Sequence, residues 1–183
     1  MRASHRDSSV LVMKWILDDG PLGVLAQYFD PGWTWPEGSL FVVREVADSA
    51  TNDKSGRRQA LLAMCSPSGL PSITVHDGGP DAASMLWGHL RPQSATAVRD
   101  LGEDVSVAVC ATELLDATFV TMDKRAAYVA LAELGRSRVT APFELWDWLE
   151  RNGHLSITTF RELCTLTAKK DQGLSGVPMC HRR

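Results

Sequence analysis

VLVMKWILDDGPLGVL, residues Val10 to Leu25, is the stretch on which the fold turns. An apolar run ends in two aspartates, passes a turn at Gly20-Pro21 and resumes as a second apolar segment. Val10–Leu17 reads as a strand covered on both faces, because its apolar residues are near-continuous rather than alternating. Pro21 suits a first helical position, where its missing N–H goes unused, so Leu22–Phe29 reads as a short helix. In open α/β sheets ligands bind beyond the carboxyl ends of the strands. The acids of this stretch therefore stand at the edge where a site belongs, and the question is which later acids return to it.

Working outward, residues 1–9 are a polar tail. Asp30-Pro31-Gly32 ends the first helix, and Trp33-Thr34-Trp35-Pro36 is an aromatic loop whose rings are expected to pack onto the domain. Ser39–Ala50 (SLFVVREVADSA) is read as a helix. Leu40, Val43 and Ala47 share one face at helical spacing, and Ser39 is a suitable N-cap. Thr51–Arg58 is a polar exposed loop and Gln59–Cys65 a short helix. Ile73-Thr74-Val75 is a strand, followed after Gly78-Gly79-Pro80 by a helix over Asp81–Leu90. Gly102–Leu115 has a 3.6-residue pattern and reads as a helix. The strand Ala117–Thr121 runs into Met122-Asp123-Lys124, and the helix Arg125–Leu134 stops at Gly135. Arg138-Val139 is a short strand and Pro142–Leu149 a helix. Thr159 with Glu162 is read as the capping box of a last helix, Phe160–Ala168. From Lys169 the chain is polar and loose. Strands alternating with helices predict an α/β three-layer sandwich with a central, mostly parallel sheet. The domain spans residues 10–150, and residues 151–183 form a C-terminal helix and tail.

The 183 residues fit one domain, 44% apolar and 22% charged. No apolar run reaches about 18 residues, so no membrane span is expected. The N-terminus has no apolar signal core, and the four cysteines are scattered without CxxC spacing. A reduced, cytoplasmic setting follows. Cys164, Cys180, His154 and His181 match no zinc spacing. A formal charge of -3 lacks the basic footprint of a plain nucleic-acid-binding module. It is compatible with an enzyme whose acids hold metal ions.

Four acids stand out by placement. Asp18 closes the first strand, Glu45 sits inside an apolar run, Glu103 opens a helix, and Asp123 follows a strand directly. Two unit charges about 4 Å apart cost roughly 4 kcal/mol at an effective dielectric near 20. Acids gathered at one edge therefore need a cation or must hold protons. Oxygen-only ligands suit Mg²⁺ or Mn²⁺, and two such ions suit phosphodiester hydrolysis. The competing reading of Asp18, Glu103 and Asp123 is structural: an acid at a helix start caps it or complements its dipole. For Glu45 it is the ordinary polar face of a helix that also carries Arg44 and Asp48. Asp19 is assigned the helix cap. Lys124 and Arg125 are read as solvated helix-face charges, and Lys54, Arg57 and Arg58 as an exposed loop.

These stretches together carry a resemblance. ILDDGPLGVL, VVREVAD, LGEDVSVAVCATELL and FVTMDKRAAYVAL resemble, in order and spacing, the acid-bearing motifs of the PIN-domain family over about Val10–Leu149. The resemblance implies a PIN-like metal-dependent nuclease acting on single-stranded or structured RNA, similar to toxin-type ribonucleases of toxin–antitoxin pairs. It implies that Asp18, Glu45, Glu103 and Asp123 hold Mg²⁺ or Mn²⁺ and are the catalytic acids. It also implies hydrolysis to a 5′-phosphate and a 3′-hydroxyl. The partners it implies are RNA, a second copy of the chain and a protein antitoxin. The third motif offers Glu103-Asp104 where many members have one Asp; Glu103 is preferred for its place after Gly102. Residues 51–100 are longer and more irregular than in compact members. Two other functions compete: a phospho-acceptor receiver-like domain, which also carries an acidic pair after its first strand, and a catalytically silent protein-binding module on the same scaffold.

Overall fold

The hydrophobic runs read above assemble into five short parallel strands in the computed structural model, which describes residues 13–91 and 100–170 with Leu174 and Val177. The strands are β1 (Lys14–Leu17), β2 (Leu40–Val43), β3 (Ile73–His76), β4 (Ala117–Val120) and β5 (Val139–Thr140). Their order across the sheet is β3-β2-β1-β4-β5, and every pairing is parallel. The helices are α1 (Asp19–Gln27), α2 (Arg44–Ser49), α3 (Arg57–Leu62), α4 (Pro80–Met85), α5 (Leu101–Thr112), α6 (Lys124–Leu134), α7 (Pro142–Arg151) and α8 (Ile157–Lys170). They fall into two packed groups. α1 contacts α3 and α8, with α7 against α8, while α5 contacts α2, α4 and α6. The result is the three-layer α/β sandwich expected from the alternation.

Apolar content explains the layering. Trp15, Ile16 and Leu17 are buried, as are all four residues of β2. A strand that buries both faces must be central and covered on each side. The C-terminal helix is part of this body: Leu163 is fully buried, and Trp146 Nε1 donates to Thr167 Oγ1 at 2.9 Å across α7 and α8. The aromatic loop packs inward too, with Trp35 Nε1 donating to the carbonyl of Ser72 at 2.6 Å. No helix among the described residues is long and apolar enough to cross a membrane.

Several local readings change; the strand read at Arg138-Val139, for one, is β5 at Val139–Thr140, with Arg138 in the preceding turn. Ser39–Ala50 is not one helix but β2 followed by α2. Leu40 and Val43 do lie at helical spacing, but Leu40 to Val43 are buried without a break, and the covered sheet takes such a run as a strand. Ser39 caps nothing; its hydroxyl donates to the Pro36 carbonyl at 2.5 Å. The helix read over Asp81–Leu90 is α only to Met85 and continues as a wide π turn, Leu86–Leu90. The last helix starts three residues early, since Ser156 Oγ accepts from the Thr159 amide at 3.1 Å and supplies the cap. The tails at residues 1–9 and beyond Lys170 lie outside the described residues, apart from Leu174 and Val177, both buried.

Candidate functional site

β1 and β4 are neighbours, and their register pairs Leu17 with Val120. The next residues, Asp18 and Thr121, therefore meet at the C-terminal edge. This is where the strand order reverses, the crevice in which open α/β sheets bind ligands. Thr121, fully buried, donates its hydroxyl to Asp18 Oδ2 at 2.7 Å and accepts the Asp123 amide at 3.0 Å. One hydroxyl thus ties two acids into register. Asp18 Oδ1 also accepts the Asp19 amide at 2.6 Å. Asp123 caps α6, with Ala126 donating to its Oδ1 at 2.9 Å. Asp18 is 3% exposed. Burial pushes its carboxyl up to about 6, against the pull of its two hydrogen bonds and with a further push from Asp19 and Asp123.

Glu45 and Glu103 enter from two helix starts. Because β2 ends at Val43, Glu45 falls in the first turn of α2, just beyond a strand tip, as Asp18 and Asp123 do. Its Oε2 is buried without a hydrogen-bond partner. Gly102 lets α5 press against α2, since a Cβ there would meet Val46 Cγ2 at 2.9 Å. That close approach carries Glu103 beside α2. Burial first, then the charges of Asp18, Asp123 and Asp100, push Glu103 up to about 8, opposed by Arg125. A cleft of about 440 Å³ opens here, with Asp18, Glu45 and Glu103 in its wall beside Asp48 and Asp100. Asp123 does not line it but acts electrostatically on both Asp18 and Glu103.

The neighbouring acids have other work. Asp19 does not cap α1; Asp18 does. The Asp19 carboxylate instead accepts from Ser49 Oγ at 2.8 Å and Arg58 Nη1 at 2.5 Å. Arg58 is therefore held by the fold, and Arg57 donates to the Gln27 carbonyl at 2.8 Å, so neither is a loose loop charge. Asp104 is buried against Arg91 Nε at 2.6 Å, which leaves Glu103 as the acid of the third motif that faces the cleft. Arg125, read as a solvated charge, reaches into the cluster. Its guanidinium lies 3.3 Å from Glu103, 3.4 Å from Asp104 and 3.5 Å from Asp100. Its position two residues after Asp123 is the only sequence signal that marks it.

The cleft gathers carboxylate oxygens, the donor class of Mg²⁺ and Mn²⁺. The buried, unpaired Glu45 oxygen and the raised Asp18 and Glu103 are what such a set shows when its charge is uncompensated. As their side chains stand, no three His, Cys, Asp or Glu among the described residues are close enough to hold one cation. Asp18 and Asp123 are pinned by hydrogen bonds, whereas Glu45 and Glu103 have longer side chains with one more rotatable bond. The sheet order also separates this chain from the receiver arrangement, 2-1-3-4-5, in which β1 would lie beside β3. No family model, curated protein or solved structure matches the chain.

Proposed function

We propose that the chain is a PIN-like, metal-dependent nuclease, an endoribonuclease that uses Mg²⁺ or Mn²⁺. The observation that carries this reading is the tie between strand tips: Asp18 and Asp123, joined through Thr121, with Glu103 electrostatically coupled to both. Asp18, Asp123, Glu103 and Glu45 are the residues that would hold the metal. Held by them, a divalent cation would supply charge neutralisation of the phosphodiester and a lowered pKa for an attacking water. Thr121 keeps the Asp18 carboxylate oriented, and Glu45 brings an acceptor that has no protein donor. Arg125, half-exposed and 3.3 Å from Glu103, would offer its guanidinium fork to a phosphate oxygen beside that acid. Water adds to phosphorus and the 3′-oxygen leaves with a proton, giving a 5′-phosphate and a 3′-hydroxyl.

The test is Asp18→Asn with Asp123→Asn. Both are near-isosteric and keep the cap oxygen, so folding measured by circular dichroism stays intact. Mn²⁺-dependent cleavage of single-stranded RNA is expected to fall at least a hundredfold. Undiminished cleavage by the folded double variant overturns the assignment. The second reading, a silent protein-binding module, is favoured by the absence of three acids at joint ligating distance among the described residues. Titration with Mn²⁺ separates the two, since only the nuclease reading expects saturable binding that the double variant loses.

A further inference from the structure

A second hollow, about 140 Å³, lies beside the acidic cleft and shares Glu45 and Leu101 with it. Its wall is apolar, built from Ala82, Leu86 and Val105, and Trp87 stands at it. Trp87 is 46% exposed, whereas Trp15, Trp33, Trp35 and Trp146 are buried. Such an indole forfeits the burial that usually justifies a tryptophan. It is carried on the π turn Leu86–Leu90, a rare local geometry found most often at functional sites. Among the described residues no lysine or arginine lines the hollow, and the nearby Arg44 is paired with Asp77, so the lining favours donors over phosphate. Its polar side chains are acceptors: Glu45, with a buried oxygen lacking any donor, and Asp77, whose Oδ1 already accepts from Arg44 Nε at 2.8 Å and whose second oxygen is left for a ligand.

We infer that this hollow is a subsite for one nucleobase of single-stranded RNA, stacked on the Trp87 indole, next to the phosphate held in the acidic cleft. The inference rests on the nuclease reading for the placement of that phosphate. A base fits the surface on three counts. It is flat and π-faced, matching Trp87. It sheds little hydration from its faces into an apolar wall. Its edge carries N–H donors, matching the acceptors Glu45 and Asp77. Glu45 serves both compartments because a carboxylate has two oxygens with about four lone-pair sites. Bases with an exocyclic amine, adenine, cytosine and guanine, are preferred over uracil on this account.

Two measurements test it. Tryptophan fluorescence of the whole chain is titrated with cytidine and uridine monophosphates in EDTA, for wild type, Trp87→Phe and Trp87→Ala. Quenching is expected in wild type, stronger for cytidine, and lost in both variants, which lack the reporter indole. In Mn²⁺, Trp87→Ala is expected to raise KM for a single-stranded RNA about five- to 150-fold, the equivalent of ~1–3 kcal/mol for one stacked base. The kcat stays within about threefold, and Trp87→Phe, which keeps a ring, restores most of the loss. Cleavage by wild type with an unchanged KM in Trp87→Ala overturns the subsite and leaves the nuclease standing. Trp87-dependent quenching in a chain that cleaves nothing removes the nuclease and keeps a nucleotide site. Absence of quenching, with Trp87→Ala altering only self-association or antitoxin-like protein binding, overturns the subsite in favour of a protein contact.

Discussion

Two acid doublets, Asp18-Asp19 at the start of α1 and Glu103-Asp104 in the first turn of α5, are divided in the same way by arginines. In each, one acid is matched to a cation of the fold. Asp19 pairs with Arg58 at 2.5 Å, and Asp104 pairs with Arg91 at 2.6 Å. In each, the other acid is pushed towards its neutral form, Asp18 to about 6 and Glu103 to about 8; both line the cleft, as Asp19 does too with its carboxylate held by Arg58 and Ser49. Adjacent residues of the same chemistry thus take opposite parts. The matched acid contributes to folding, and the cleft acid costs stability where it is ionised. Glu103 is not wholly without a cation, since Arg125 is 3.3 Å away. That arginine is divided among three acids and is half-exposed, so it offsets little of the repulsion.

The sharpest way to break the comparison is to remove the buried matched acid. Arg91 is 6% exposed, and its Nε donates to Asp104 Oδ2 at 2.6 Å. Removing one partner of a buried ion pair typically costs about 3–5 kcal/mol. Asp104→Ala is therefore expected to destabilise by that amount in urea unfolding. Glu103→Gln, one position earlier, is expected to leave stability unchanged or higher at pH 8, while reducing Mn²⁺-dependent cleavage at least tenfold. Equal destabilisation by the two would show that the doublet is not divided as described.

The cleft acids then fix the sign of the pH dependence. A carboxyl whose folded value is raised binds protons more tightly in the folded state, so its contribution is fully present below its ordinary value and is lost as pH rises through the folded value. For Asp18 the window runs from 3.8 to about 6, and for Glu103 from 4.5 to about 8. Within its window each group costs at most roughly 1.4 kcal/mol per pH unit. Chelated protein should accordingly lose thermal stability from about pH 4 to pH 8. Glu103→Gln should flatten the upper half of that decline. Saturating Mn²⁺ at pH 8 should restore stability by about 2.7 kcal/mol at a hundred times its Kd. A melting temperature that rises with pH in EDTA would contradict the raised acids.

How much of this was legible in the sequence follows from which contacts are local. Asp18 and Asp123 were visible because strand, acid and helix are consecutive along the chain, and the parallel sheet brings like ends together. Glu45 was placed at the site for an incomplete reason. The run SLFVV has both helical spacing and near-unbroken apolar character, and only burial on two faces decides for β2, which puts Glu45 two residues past a strand tip. The division of the doublets was not legible. Arg58 lies 39 residues from Asp19 and Arg91 lies 13 from Asp104, separations that no local pattern encodes. Trp87 lies in the irregular region between Thr51 and Asp100, where helix and turn signals are weakest, and its exposure depends on the π turn that ends α4.

The smallest expected effect tests the matched acid of the first doublet. Arg58 crosses α1 directly over Gly23, where any side chain would collide with its guanidinium, so the fold keeps a lane open for the Arg58–Asp19 contact. Yet the Asp19 side chain is 47% exposed, and water and salt screen an ion pair in that position. Asp19→Asn keeps an acceptor for the Ser49 hydroxyl and loses only the charge, including its modest favourable interaction with the α1 N-terminus. The expected cost is about 0.5–1 kcal/mol, shrinking in high salt, with a double-mutant cycle against Arg58→Ala giving a coupling of the same size. Cleavage should remain within a few-fold of wild type, because the Asp19 carboxylate, although it lines the cleft, is already engaged by Arg58 and Ser49. If Asp19→Asn instead abolishes cleavage at unchanged stability, Arg58 is not neutralising a structural acid but positioning a working one. The pairing of an acid with an arginine would then no longer separate folding residues from functional ones in this chain.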